Sequence, residues 1–413
     1  MKFDTIIIGG GLSGLTTGIS LAKAGQKVAI VSSGQSTLHF HSGSFDLLGY
    51  NNSKEVLTPL EELKRLDANH PYSKISDVAT LAEEAIGMLR ESNVKIKGET
   101  SRNHYRLTPM GVLKPTWLTM DEFFISDSAE TLPYKKFLLV NFAGFFDFPV
   151  EFIADGLEKL GARVNVKGLR VPMLQERRLS PSEMRSANIA KLLSDENVVE
   201  LISQKINTSI GDAEVVLLPS VVGLCSDEMI ELLRSKVSVP LFMVATLPPS
   251  VSGVRVQNAL SSRFKKLGGS FLLGATVFDG VISNNKVESI KISTLPDEVF
   301  VANNYVLATG SFQSHGLVAN YSRVYEPVFE LDVDFDEQRS EWTRHNVFES
   351  QPYMTFGVKT DNCLRALKDG VSVSNLYVAG SVLAGHDSVK LSDAAGVSII
   401  TGLAVSKSII KQK

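Results

Sequence analysis

Residues 4–8 read DTIII, a run of mostly β-branched residues without polar alternation, which is the pattern of a parallel strand covered on both faces. Three glycines follow at once. From 13 to 24 the spacing becomes helical: Leu15, Ile19 and Leu21 give an apolar side, and small Gly14 and Gly18 let it lie close against a sheet. Gly25 stops the helix, and KVAIV at 27–31 predicts a second strand. Together these predict a βαβ unit of roughly thirty residues.

Past residue 50 the texture changes. Between 51 and 249 the chain mixes helical stretches, scattered proline and aromatic residues, and apolar runs such as KFLLVNF and AEVVLLPS, which predicts an inserted domain with strands of its own. After TLPPSVSG the first texture returns. VRVQNALSSRFKKLGG is an amphipathic helix ending in a glycine pair, and SFLLGATV, KVESIKIS and VFVANNYVLATG are strands. Residues 312–369 revisit the inserted domain, and the chain closes on a strand in NLYVAGSVLAG and a helix in GVSIITGLAVSKSIIK. The expected organisation is a discontinuous nucleotide-type domain, 1–50, 250–311 and 370–413, with an inserted α+β substrate or cap domain in 51–249 and 312–369.

Composition narrows the function classes. At 413 residues the chain is too long for one ordinary core, and 44% hydrophobic with 21% charged residues is ordinary for a folded soluble protein. A net charge of −3 and the lack of a long basic run argue against nucleic acid as a partner. Cys225 and Cys363 are far apart and form no C-x-x-C, so a disulfide framework and a four-cysteine metal or iron–sulfur site are both excluded. Two thiols in packed surroundings are expected, and no metal. The N-terminus enters a strand without a signal-peptide pattern, and no apolar run reaches the roughly 18 residues that cross a bilayer. The expectation is a cytoplasmic chain that meets a membrane only through a partner.

Gly9, Gly11 and Gly14 fall in G-x-G-x-x-G spacing. The first glycine permits the tight turn, the second lets backbone approach a phosphate, and the third lets helix and strand close up, aiming amides near Leu12 and Ser13 at an anion. Such a turn is common by itself, but a strand before it and a helix after it point to a dinucleotide or flavin site. Two apolar strands that end in small residues, VLATG at 306–310 and NLYVAGS at 375–381, add Thr309, Gly310, Gly380 and Ser381 to that site. The three segments together resemble the Rossmann-like flavin domain of two-dinucleotide-type flavoproteins. That resemblance implies an α/β fold whose last helix, starting near Gly396, points its N-terminus at the flavin ring, where the dipole favours negative charge.

Two departures stand out. The second strand of a ribose-gripping unit ends in Asp or Glu, yet here it ends in Ser32 and Ser33, and the acid expected after the last glycine is Ser381. A neutral hydrogen bond is roughly half as strong as one to a carboxylate.

A closer resemblance runs over nearly the whole chain. GQSTLHFHSGSFDLLG, ANHPY at 68–72, RSANIAKLL at 185–193, TLPPSVSGVRVQNAL at 246–260, TGSFQSHGLVA at 309–319 and FGVKTDNCLR at 356–365 resemble the B subunit of the anaerobic glycerol-3-phosphate dehydrogenase. The resemblance implies a flavoprotein that binds FMN, with FAD as the alternative. It also implies two partners: an FAD-containing A subunit, and an iron–sulfur C subunit that holds the pair on the inner face of the cytoplasmic membrane. The implied reaction oxidises sn-glycerol 3-phosphate to dihydroxyacetone phosphate and passes electrons toward quinone, with fumarate or nitrate as terminal acceptor. FMN has a phosphate for the glycine turn but no adenosine ribose, so serine at the end of the second strand loses nothing.

Candidate chemistry follows from that implication. HFHSGSFD at 39–46 offers His39 or His41 as a proton relay and Ser42, Gly43 and Ser44 as flavin contacts, although the same residues would serve equally to cap a loop. A phosphorylated alcohol needs a cationic clamp, for which Arg255 is the leading candidate and Arg185, Arg323 and Lys390 are others, each equally suited to an ordinary ion pair. His315 and His386 follow the two late strands, and aromatic NFAGFFDF at 141–148 reads as core or subunit interface. Two other classes stay open: a self-sufficient flavin oxidoreductase acting on another substrate, and a non-catalytic structural subunit.

Overall fold

The computed structural model describes residues 1–177, 179–180 and 184–412. The chain divides into two compact units. Met1–Thr37, Phe45–Asn93 and Ala259–Lys413 form the first, and Leu38–Ser44 with Val94–Asn258 form the second.

The first unit opens with the expected βαβ: β1 (Lys2–Ile8), α1 (Leu12–Lys23) and β2 (Val28–Ser32). It continues through α2 (Val78–Glu91), the second half of α3 (Val251–Lys266), β3 (Ser270–Leu273), β4 (Val277–Ser283), β5 (Lys286–Ile292) and β6 (Leu295–Leu307). A hairpin of β7 (Arg365–Lys368) and β8 (Val371–Val378) then leads to α4 (Ala394–Lys411). The parallel core runs β3-β2-β1-β6-β8, with Ile6 opposite both Ala29 and Tyr305, and Tyr305 opposite Leu376. Ile6, Ile7, Ile30, Val306 and Leu307 are fully buried, as runs covered on both faces require. The early half of β6 leaves this core to pair antiparallel with β5, which pairs with β4.

The division differs from the one expected from sequence. Residues 51–93 join the first unit because α2 buries Leu81, Ala85 and Leu89 and is tied to neighbouring helices by Glu84–Lys407 (2.6 Å), Glu91–Lys23 (2.8 Å) and Glu91–Arg263 (3.2 Å). Residues 312–369 join it as well, because β7 is the hairpin partner of β8 and Val333–Asp334 pairs with Gly357–Val358.

The second unit also differs from expectation. Its largest sheet is wholly parallel, in the order Arg163–Leu169, Lys136–Phe142, Val215–Pro219, Leu241–Val244, with helices Val150–Lys159, Glu196–Asn207 and Glu228–Lys236 between strands. That is an α/β arrangement rather than α+β, although an antiparallel hairpin, His104–Leu107 with Leu113–Thr116, accompanies it. The physical reason is in the strands: VVLLP is buried at every position, so both faces need covering by helices. Phe142, Phe145 and Phe148 are core, while Phe146 is exposed.

Two smaller expectations also change. Cys225 and Cys363 are both exposed rather than packed. Helix α4 is long and apolar enough to cross a bilayer by length and composition, but 56% of that stretch is buried inside the protein.

Candidate functional site

The carboxyl ends of β1, β6 and β8 meet at one edge of the first unit's sheet. Gly9 N–H donates to Val31 O (2.8 Å), Ala308 N–H to Ile8 O (2.8 Å) and Ala379 N–H to Leu307 O (3.0 Å), so the ladder runs one step past the strands. It delivers Gly9, Thr309, Gly310, Gly380 and Ser381 to the point where strand order reverses about β1, the ligand crevice of such sheets.

The turn there has the shape a phosphate needs. Gly9 has φ +118°, and a Cβ on it would lie 2.1 Å from Ala308 O; a Cβ on Gly14 would lie 1.9 Å from Gly9 O. Helix and turn are therefore in backbone contact. At Gly11 the nearest atom to a Cβ is Ser36 Cβ at 3.7 Å, so that side of the turn stays open. Gly11 is the N-cap of α1 and no side chain caps the helix, leaving first-turn amides around Leu12 and Ser13 for an anion. The buried hydroxyls Ser13 Oγ and Thr309 Oγ1 have no hydrogen-bond partner among the described residues. Ser13 faces Gly380, where a Cβ would come within 2.8 Å of Ser13 Cβ, and Ser381 Oγ lies 3.6 Å from a Cβ placed on Gly310. Open backbone, uncapped amides and orphaned hydroxyls fit the phosphate and polyol of a flavin nucleotide.

The serines at the end of β2 hold nothing charged. Ser32 is buried and donates to Gly34 O (2.9 Å), closing its own turn, and Ser33 is exposed. Gly396 does not face an open space: its N–H donates to Asp46 O (2.8 Å), and a Cβ on it would meet Tyr72 Oη at 2.4 Å.

Of the other candidates, the 39–44 segment, Arg185 and Arg255 fall in the second unit, and Arg323, Lys390 and His315 in the first. His39 is half-buried, which lowers its pKa, and its carbonyl accepts from Ser250 N–H (2.7 Å). His41 Nδ1 accepts from Gly43 N–H (3.1 Å), fixing the ring next to Ser42. Gly43 has φ +78°, and a Cβ there would strike the Phe123 ring at 2.5 Å; Ser44 Oγ is buried without a partner among the described residues. Arg255 is buried against the Glu122 carboxylate and donates to Gly223 O (3.4 Å), and burial brings its pKa down to about 10. An arginine so committed is a counter-ion for Glu122 first. The remaining cations are also engaged: Arg185 with Asp147 (2.8 Å), Arg323 with Glu330 (3.4 Å) and Lys390 with Phe348 O. His315 is exposed, in a left-handed conformation.

Sequence reasoning missed one cluster in the first unit. His70, His386 and Asp393 are buried, with His70 Nε2 2.9 Å from Asp393 Oδ2 and His386 Nδ1 3.3 Å from Asp393 Oδ1. Burial alone would raise the Asp393 carboxyl, but the interaction with His386 and the hydrogen bond from His70 outweigh it and bring it to about 2. The three ligand-capable atoms lie within 4.8 Å of one another, the reach of a metal site. The hydrogen bonding points away from a metal: Tyr72 N–H donates to His70 Nδ1 (3.2 Å), which keeps the ring proton on Nε2, where a metal would have to bind. The family-like ANHPY held one half of this cluster, but 323 residues separate it from Asp393 and no spacing rule joins them.

The comparisons with known proteins bear on the class first. The family described as FAD binding domain matches residues 4–396, and the chain belongs to that class of flavoprotein. The B subunit of anaerobic glycerol-3-phosphate dehydrogenase from Yersinia enterocolitica serotype O:8 / biotype 1B is 40% identical over 417 residues, 99% of this chain and 98% of that protein. The protein of the same name from Glaesserella parasuis serovar 5 is 34% identical over 425 residues, 99% of this chain and 100% of that one. The chain belongs to the family of anaerobic glycerol-3-phosphate dehydrogenase B subunits. Among solved structures, a 3-ketosteroid delta1-dehydrogenase from Sterolibacterium denitrificans covers 100% of both chains at 10% identity and TM-score 0.45, too distant to inform the site.

Proposed function

We propose that this chain is a flavin-dependent subunit of an anaerobic glycerol-3-phosphate dehydrogenase that takes part in oxidising sn-glycerol 3-phosphate to dihydroxyacetone phosphate, with electrons passing through partner subunits toward quinone. The observation that carries this is the full-length similarity to the B-subunit relatives, joined to a glycine turn whose amides are uncapped and whose phosphate side is open. When bound, the flavin supplies a two-electron acceptor. The chain's residues do the holding: amides near Leu12 and Ser13 take the phosphate, and Ser13 and Thr309 offer hydroxyls. FMN is the preferred nucleotide, because the end of β2 presents an exposed Ser33 and a self-satisfied Ser32 where an adenosine ribose would need a carboxylate. The partners are an FAD-containing A subunit and an iron–sulfur C subunit, which together place the chain at the inner face of the cytoplasmic membrane.

A second form of the same function is favoured by the state of the cations. Arg185, Arg255, Arg323 and Lys390 all have partners, so none of them stands ready as a phosphate clamp, and the chain would then receive electrons from the A subunit's flavin and forward them. The test is the visible spectrum of the purified chain before and after anaerobic addition of sn-glycerol 3-phosphate, with and without the A subunit. Bleaching by the chain alone identifies direct oxidation; bleaching only with the A subunit identifies relay. A folded, colourless chain that takes up no flavin overturns both.

A further inference from the structure

The glycine turn of the first unit is open on one side and closed on the other. A Cβ built on Gly11 would find its nearest neighbour, Ser36 Cβ, at 3.7 Å, whereas one on Gly10 would lie 2.6 Å from Ser32 Oγ and 2.9 Å from Phe271 Cζ. Gly10 follows β1 and Phe271 lies on β3, with β2 between those two strands. The Phe271 ring therefore reaches across the carboxyl end of β2 to meet the turn.

Strand pairing sets that position. Phe271 lies opposite Ile30 of β2, and Ile30 Cδ1 would be 2.8 Å from a Cβ on Gly18 of α1, so the ring shares the face of the sheet that α1 covers. Lys265 Nζ, from the last turn of α3, lies 5.8 Å from the ring centroid and braces it. The end of β2 is engaged by the chain itself: the N–H groups of Gly274 and Ala275 donate to Ser32 O (2.8 and 3.1 Å), and Ser32 Oγ donates to Gly34 O (2.9 Å). A dinucleotide laid on such a turn sets its adenosine ribose beside the end of the second strand, where a carboxylate receives the hydroxyls. Here a phenyl edge lies against that end and no carboxylate does, so a ribose would clash and leave its hydroxyls without acceptors. A nucleotide that ends at its phosphate meets neither obstacle.

We infer that Phe271 sets the flavin specificity of this chain: its ring, wedged between Gly10 and the end of β2, excludes the adenosine half of FAD and leaves the turn to the phosphate of FMN. That role rests on the flavin reading above and deepens it. The opposite role for the same ring is a platform on which adenine stacks, which would favour FAD. The two roles differ in sign.

The test is equilibrium dialysis of the full chain, stripped of flavin, against FMN and against FAD, with the bound flavin quantified by chromatography. The wild type should bind FMN at least about tenfold more tightly than FAD. Phe271→Ala should tighten FAD binding by at least about tenfold and leave FMN within about threefold of the wild type, because no atom of the ring comes within 4 Å of a Cβ on Gly11. Phe271→Leu keeps the strand apolar but falls short of Gly10; it should shift FAD in the same direction, and it decides the matter should the alanine variant fail to fold. A wild type that binds FAD as tightly as FMN overturns the inference while the flavin reading stands. So do equal gains for both flavins, unchanged FAD binding, or weaker FAD binding, the last of which identifies the stacking platform. A folded wild type that takes up neither flavin overturns the flavin reading itself.

Discussion

The two units build the same kind of sheet and finish its strands in opposite ways. In the first, β1 runs into glycines, and the turn consists of backbone whose closest contacts, Gly9 against Ala308 and Gly14 against Gly9, leave no room for any side chain. In the second, strand Lys136–Phe142 runs into AGFFDF, where Phe145 and Phe148 fill the turn and Asn141 Nδ2 donates to Phe145 O (3.0 Å) and Phe148 O (3.4 Å). One turn leaves its amides uncapped, and the other spends its space on packing. The architecture alone therefore does not make a nucleotide site; the residues after the strand do.

The comparison breaks most visibly at Gly14. Gly14→Val puts a branched side chain into Gly9 O, and should cost more than about 4 kcal/mol and abolish flavin retention. Its counterpart Phe148→Ala should cost about 3–5 kcal/mol by leaving a cavity, yet flavin per folded molecule should be unchanged, as denaturant melts and absorbance together would report. Equal flavin loss in both would mean that the turns are not functionally distinct.

Buried charge sharpens the contrast next. Arg255→Met strands Glu122 and should destabilise by about 3–5 kcal/mol, while adding Glu122→Leu should recover most of the loss. If the double variant keeps the activity of the intact complex, Arg255 serves the fold; if activity is lost although stability returns, Arg255 belongs to the chemistry.

The Asp393 carboxyl gives the smallest effect and the clearest sign. Its pKa is about 2 in the folded chain against an ordinary 3.8, so the folded state binds that proton more weakly than the unfolded state. The stabilisation is complete above roughly pH 4 and is lost as pH falls through the folded value, amounting to about 2 kcal/mol. Acid titration of stability should show this component in the wild type, and it should vanish in Asp393→Asn.

What could be read from the sequence was local. The βαβ, the glycine turn and the strands ending at Leu307 and Val378 each lie within a short window, and the structure brings their ends together at one edge. What could not be read depends on distant pairing. Helix α2 joins the first unit through pairs such as Glu84–Lys407, Arg255 finds Glu122 across 133 residues, and His70 finds Asp393 across 323. The parallel sheet of the second unit was hidden for a related reason: a continuous apolar run says that both faces are covered, but not in which direction its neighbours run.

The central claim is that a flavin phosphate rests on the first-turn amides of α1, and an experimental structure of the flavin-loaded chain tests it most directly. The account predicts phosphate oxygens within hydrogen-bond distance of amides near Leu12 and Ser13, on the open side of Gly11. A flavin whose phosphate is held elsewhere, with those amides bonded to protein or water, would contradict it.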